Sequence, residues 1–327
     1  MAVACDSIEP LLQELVSNLR HVEEVLSFVG IYYIGKLTLS ALYNVLDGMR
    51  IHVISKLFAP KLTQKYGQWA VLAGINGRIG EAFATEFARN GMNIVMLSNS
   101  LEEMKKITQK IGKEFGVETE VLQIDFCSGQ PVYSNIYNSL NQKDIGILVN
   151  DCRKLVPDTN NLENISDDDL WGMVHANIGA VPAMAKIVLP GMKERKRGAI
   201  INISSIEGCS LFPFRHINPA TEAFVNSFSR ALDYECRFSG ITIQTLLMGP
   251  VSFSADKKQL SSFISSIFIP PASTYAYHAV STIGYSQITT GYWVHGVLVW
   301  LLKRIPESLL IWSYVLAFNF KHYQKID

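Results

Sequence analysis

The chain has 327 residues, 48% of them hydrophobic and 18% charged, with 29 Lys and Arg balancing 29 Asp and Glu. So much apolar material excludes a disordered chain, a collagen and a small disulfide scaffold. A formal net charge of zero lacks the basic surplus that phosphate backbones require, so no nucleic-acid partner is expected.

Acidic residues Asp6, Glu9, Glu14, Glu23 and Glu24 stand where a secretory signal would begin basic. Residues 25–46, VLSFVGIYYIGKLTLSALYNVL, carry only Lys36 as a charge and would reach about 33 Å as a helix, enough to span a bilayer. Lys36 costs about 2.5–3.5 kcal/mol on insertion unless its ammonium snorkels or meets a partner. Arg50, Lys56, Lys61 and Lys65 follow the segment, so if it spans, the main domain stays on the cytoplasmic or matrix side. A helix lying in the membrane plane or buried on the domain would satisfy the same composition.

Short β-branched or apolar runs at 69–73, 93–97, 119–124, 145–149, 198–203 and 241–247 predict strands. Helical patterns at 78–90, 101–115, 130–140, 167–195 and 219–238 fill the gaps. Such alternation predicts an α/β fold, a Rossmann-type doubly wound parallel sheet with helices on both faces. Two further apolar stretches, 291–302 and 308–320, are each too short to span and read as interfacial helices, as cover for an entrance, or as a helical pair packed on the core. The organisation expected is a membrane-associating segment and linker at 1–66, the Rossmann domain at 67–275 and an apolar helical extension at 276–327. The five cysteines, Cys5, Cys127, Cys152, Cys209 and Cys236, lack C-x-x-C spacing, so neither a disulfide framework nor a metal site is expected.

Ligand sites of doubly wound sheets form beyond the carboxyl ends of the strands. After the first strand the chain reads Ala73-Gly74-Ile75-Asn76-Gly77-Arg78-Ile79-Gly80, a turn whose backbone N–H groups and following helix could approach a pyrophosphate. Here the sequence resembles the short-chain dehydrogenase/reductases, whose turn is written T-G-x-x-x-G-x-G, with Gly74 and Gly80 at the outer glycines. Asp125 after the third strand, Asn150 after the fourth, Asn177 in the long helix and Ser205 in Asn202-Ile203-Ser204-Ser205 extend the likeness over about residues 68–248. Tyr66-Gly67-Gln68-Trp69-Ala70-Val71, Val188-Leu189-Pro190-Gly191-Met192 and Thr290-Gly291-Tyr292-Trp293 resemble the 17-beta-hydroxysteroid and very-long-chain 3-oxoacyl-CoA reductase branch, and within it the inactive hydroxysteroid dehydrogenase-like members. This resemblance implies NAD(P) contacts at Gly74, Gly80, Asp125 and Asn150, catalytic-site positions at Asn177 and Ser205, and anchoring to an endoplasmic reticulum or mitochondrial membrane.

It also implies a tyrosine thirteen residues after the serine and a lysine four further on, one helical turn apart. Those positions hold Asn218 and Glu222. An amide has no usable pKa near neutrality, so Asn218 cannot be a general acid. Glu222 replaces a cation by an anion, and when ionised it cannot donate to ribose hydroxyls. Asn218 and Pro219 suit the N-cap and first turn of a helix instead. Arg78 stands at the family's middle glycine, Asn150-Asp151-Cys152-Arg153 replaces Asn-Asn-Ala-Gly, and Met248-Gly249-Pro250 reverses Pro-Gly. His216 reads as a loop or surface histidine, or as the nearest substitute acid, and Cys152 next to Arg153 as a buried free cysteine, or as one with a depressed thiol pKa.

The expectation is a catalytically inactive dehydrogenase-like protein in which NAD(P) contacts are vestigial. It would bind a lipid or steroid-related ligand, or pair as a homodimer or as a heterodimer with a related dehydrogenase. The alternatives are a weak NAD(P)-dependent oxidoreductase on a steroid or fatty-acyl ketone, using Ser205, Asn177 and His216, and a membrane scaffold.

Overall fold

A computed structural model describes residues 8–58, 60–75, 77–155, 162–209, 215–252 and 267–323, with only the backbone path of 8–21 and 317–323. The chain divides into two units, Met1–Arg50 and Ile51–Asp327. The first is built on one helix, α1 (Ile8–Met49), 42 residues long and therefore about 63 Å. Its side chains from Val22 onward are almost all exposed, including Phe28, Tyr32, Leu39 and Tyr43.

In the second unit the elements run α2 (Ser55–Leu57), α3 (Leu62–Lys65), β1 (Trp69–Ala73), α4 (Gly77–Arg89), β2 (Asn93–Ser98), α5 (Leu101–Phe115), β3 (Thr119–Gln123), α6 (Val132–Leu140) and β4 (Ile145–Asn150). They continue as α7 (Asp167–Met173), a π-helical turn at Val174–Gly179, α8 (Ala180–Arg195), β5 (Gly198–Ser205), α9 (Ile217–Cys236) and β6 (Ile241–Met248). The last are α10 (Ala272–Ser281), β7 (Ile288–Thr289), α11 (Trp293–Leu302) and α12 (Glu307–Tyr323).

The seven strands among the described residues are all parallel, in the order β3-β2-β1-β4-β5-β6-β7. The order reverses between β1 and β4, and the register Ala73↔Asn150 opens a crevice at their carboxyl ends. Central strands buried on both faces explain the nearly unbroken apolar runs of β1 and β4. One face packs Phe83, Phe87 and Met104 from α4 and α5 with Tyr275 from α10; the other packs Ile136, Met184, Val188 and Leu232 from α6, α8 and α9.

The boundary of the compact unit precedes the expected one at residue 66, because Leu62 and Tyr66 are buried in the core. The extension likewise contributes to the core: Ala276, Ala279, Val280 and Ile283 pack against the α4 face, and β7 adds a two-residue edge strand. The long helix expected over 167–195 is interrupted by the π turn, which carries Asn177.

Residues 51–58 are tied to α10. Lys56 Nζ donates to His278 Nδ1 at 2.9 Å, and the Tyr292 ring meets His278 edge-on at 5.3 Å. Burial, then the Lys56 ammonium, push the His278 imidazole down to about 4. An unfolded histidine titrates near 6.5, so between about pH 6.5 and 4 the unfolded chain binds a proton that the folded chain refuses. This contribution to stability is therefore complete above pH 6.5 and lost as pH falls toward 4, a change of about 3 kcal/mol. In His278→Asn the pH slope of the denaturation midpoint should flatten across that window; an unchanged slope would refute the assignment.

Candidate functional site

The site is assembled from the loops after β1, β4 and β5 and the first turns of α9. Gly74 has φ +77, and a Cβ there would lie 2.4 Å from Cys152 Cα, so this glycine lets the β1 turn touch the loop after β4. Asp151 N donates to Ala73 O at 2.8 Å and Gly74 N to Leu97 O at 2.8 Å, fixing that contact. A Cβ on Gly80 would meet Ile75 O at 2.7 Å, so the other outer glycine seats α4 against its own turn. Arg78 is exposed, and Asn76 lies outside the described residues.

Asp125, exposed at the end of β3, caps a short 3₁₀ turn: its carboxylate accepts from Cys127 N at 3.0 Å and Ser128 Oγ at 3.1 Å. Asn150 is fully buried and starts a chain across the sheet. Its Nδ2 donates to Asn202 Oδ1, and Asn202 Nδ2 donates to Ser229 Oγ on α9, both at 2.8 Å. Asn177 Oδ1 accepts from Lys154 N at 2.7 Å, while its Nδ2 reaches Lys154 O at 3.1 Å and Thr221 Oγ1 at 3.3 Å. The π turn thus uses its amide to pin the post-β4 loop to α9, consistent with the habit of such turns to mark functional positions.

Glu222, 4% exposed, is the centre of the cluster. One carboxylate oxygen accepts from Ser205 N at 2.9 Å, and the other from Arg153 Nη1 at 3.2 Å. Arg153 Nε also binds the Asp151 carboxylate, so one guanidinium lies between two buried acids. Burial pushes the Glu222 carboxyl above the usual range, an effect Arg153 offsets only in part. Burial alone would lower Arg153, but Asp151 and Glu222 together hold it further above its ordinary value. Gly208 makes room for this arrangement, since a Cβ there would stand 2.7 Å from Glu222 Cβ. Ser205 Oγ accepts from Glu207 N at 3.2 Å.

The structure thus brings Ser205 and Glu222 into contact and joins Asn177 to α9 through Thr221. Among the described residues, Gly80 and Asp125 make no hydrogen bond to this cluster. One expectation is corrected, and two alternatives are decided. Asn218 is the second residue of α9 rather than its cap, because the helix begins at Ile217 and His216 occupies the cap position without a side-chain hydrogen bond. His216 is exposed and makes no hydrogen bond to a site residue among the described residues. The Cys152 thiol is raised, not depressed: it is buried and feels Asp151, while the Arg153 guanidinium is directed to the carboxylates. Asp151 and Gly208 were missed as site residues; alternation of opposite charges over Asp151 and Arg153 was the available signal.

These residues do not fit the nicotinamide-ribose end of a dinucleotide. No acid stands at 218, both Glu222 oxygens are already engaged by Arg153 and Ser205 N–H, and Arg153 occupies a position where glycine would leave room. Gly249, in the reversed pair after β6, is covered by buried His295 of α11, whose ring lies 2.8 Å from where its Cβ would be. No group of three or more potential metal ligands occurs among the described residues.

A family model described as short chain dehydrogenase matches residues 68–262. "Inactive hydroxysteroid dehydrogenase-like protein 1" of Homo sapiens is 36% identical over 313 residues, covering 95% of this chain and 94% of that protein. "Very-long-chain 3-oxoacyl-CoA reductase-B" of Danio rerio is 31% identical over 296 residues, covering 90% and 93%. A structure solved in work on 7beta-hydroxysteroid dehydrogenase stereoselectivity superimposes with a TM-score of 0.68 at 22% identity, over 77% of this chain and 98% of that one. A short-chain dehydrogenase from Sphingobium yanoikuyae in complex with NADPH gives 0.59 at 22% identity, over 73% and 97%. At these identities the structures establish a shared fold.

Proposed function

The chain belongs to the short-chain dehydrogenase family, and we propose that within it this protein is a catalytically inactive, membrane-associated member that works by binding. It binds a lipid or steroid-related molecule, or it acts as the partner of a second copy or of a related dehydrogenase. The observation that carries the reading is the ion-paired Glu222 one turn after Asn218, where proton transfer would need a tyrosine and a lysine. Relatives named inactive support it.

Membrane association is supported by the exposed apolar helix around residues 25–46; if that helix spans, the basic residues after it favour the cytoplasmic or matrix side for the main domain. The second unit offers its own lipid-facing stripe: Trp293, Val297, Leu301, Ile305, Leu309, Trp312 and Leu316 are all exposed, with Lys303 and Arg304 between the two helices. An endoplasmic reticulum or mitochondrial membrane suits both. Pairing is supported by an apolar hollow of about 450 Å³ lined by Ala185, Leu189 and Pro190 of α8 and Phe228 and Leu232 of α9. NAD(P) contacts at Gly74, Gly80, Asp125 and Asn150 are vestigial in this reading, and retention of Ser205 and Asn177 is what would favour a weak oxidoreductase.

Mass spectrometry of the full-length protein, extracted in mild detergent after alkaline carbonate washing of native membranes, tests the binding role. Retention in the washed membrane with a stoichiometric lipid, steroid or dehydrogenase partner is expected. Release by carbonate with neither ligand nor partner would overturn the reading.

A further inference from the structure

Two departures from the family pattern lie far apart in sequence yet meet in space. Arg153 follows β4 at a position where the family resemblance implies glycine, and Glu222 lies on α9 where it implies the ribose-holding lysine. Their side chains are 18% and 5% exposed and hydrogen-bonded at 3.2 Å. Either change alone would leave a buried charge short of its counter-ion: an anion beside Ser205 N–H in one case, and in the other a cation that faces a lysine and is met by Asp151 alone.

We propose that Arg153 and Glu222 are one compensated exchange, an internal plug in which the guanidinium replaces the ribose-nicotinamide end of a cofactor as the group that neutralises and fills this crevice. The fold then needs no dinucleotide to complete its site, and a dinucleotide must break the ion pair to enter. Three further contacts make this a built arrangement and not a surface pairing. Asp151 holds the guanidinium from the other side, its own backbone N–H is anchored to Ala73 O at 2.8 Å, and Ser205 N–H takes the second Glu222 oxygen. Gly208 supplies the space into which Glu222 packs. The plug goes beyond loss of catalysis: if it failed, the missing proton donor at Asn218 would stand unchanged.

The test uses the full-length protein in detergent, with two readouts independent of turnover. In the first, thermal midpoints are measured for Arg153→Met, Glu222→Gln and their double variant. Each single change should lower the midpoint by several degrees, and the double should lose clearly less than their summed losses, since each partner's unpaired charge is the main penalty. In the second, NADPH is titrated by fluorescence into the wild type and Arg153→Gly/Glu222→Lys, with circular dichroism as the check on folding. At least a tenfold gain in NADPH affinity is expected for the double variant. Should it misfold, Arg153→Ala/Glu222→Gln removes the plug without introducing a new charge and should show a gain in the same direction. Additive losses in the first readout, or NADPH binding to the wild type as tightly as to the opened variants, would overturn the proposal.

Discussion

Restoring the family's lysine by Glu222→Lys should destabilise the protein by about 3–5 kcal/mol, or prevent its folding, instead of recovering an active site. The new ammonium would be buried where Glu222 now accepts from Arg153 Nη1 at 3.2 Å and from Ser205 N at 2.9 Å. The ion pair would become a buried repulsion, and the Ser205 N–H would lose its acceptor. Asp151 can screen only part of this, being already engaged by Arg153 Nε. Thermal or urea denaturation of the full-length protein in detergent measures the effect. Glu222→Gln, which keeps an acceptor for Ser205, should lose markedly less. Equal stability of Glu222→Lys and wild type would show that the Arg153 contact contributes nothing.

The second large effect is expected at Gly74. In Gly74→Ala the methyl would be driven into Cys152 Cα at 2.4 Å and Asp151 O at 2.6 Å, both backbone atoms unable to rotate away, at a φ of +77 that alanine itself resists. A loss of about 3–4 kcal/mol follows from adding the backbone conformational cost of roughly 1–2 kcal/mol to a clash that must separate the β1 and β4 loops. Gly77→Ala is the control. Its φ of +59 carries the same conformational penalty, but open space surrounds its Cβ, so it should cost only about 1–2 kcal/mol. The difference between the two urea midpoints isolates the close approach of the loops. Equal losses would mean that Gly74 serves conformation alone.

Much of the fold was legible because a parallel sheet buried on both faces writes itself as short apolar runs. β1 and α5 have the limits expected, and β2 to β6 differ from theirs by one or two residues at one end. What escaped was of two kinds. β7 has only two residues, too few for any period, and its place in the sheet comes from pairing with Thr245 and Leu246. α10 did carry a signal: Ala272, Tyr275, Ala276, Ala279 and Val280 follow helical spacing and are all buried, but they fell across the boundary expected at residue 275. The π turn at Val174–Gly179 leaves no mark, because one widened turn hardly disturbs a long helical pattern.

At the site, counting from Ser205 was sufficient to find Asn218 and Glu222, since the spacing of a strand end and a helix turn is fixed by the fold. The partner of Glu222 was not legible. Arg153 is 69 positions away, and adjacency in sequence pointed to Cys152 instead; only the approach of the post-β4 loop to α9 selects the carboxylate. Nor could sequence show that Asn177, a catalytic-site position by resemblance, spends its amide on the Lys154 backbone.

The most direct measurement is steady-state oxidation of NADPH and NADH by the full-length protein in detergent, against steroid ketones and 3-oxoacyl-CoA thioesters of increasing chain length. The expected result is a rate no greater than that of a buffer blank for every pair, because position 218 holds no acid and the cation beside Glu222 is already an arginine of the chain. A rate above the blank that disappears in Ser205→Ala or His216→Ala would contradict it and make the protein an oxidoreductase with a relocated proton donor.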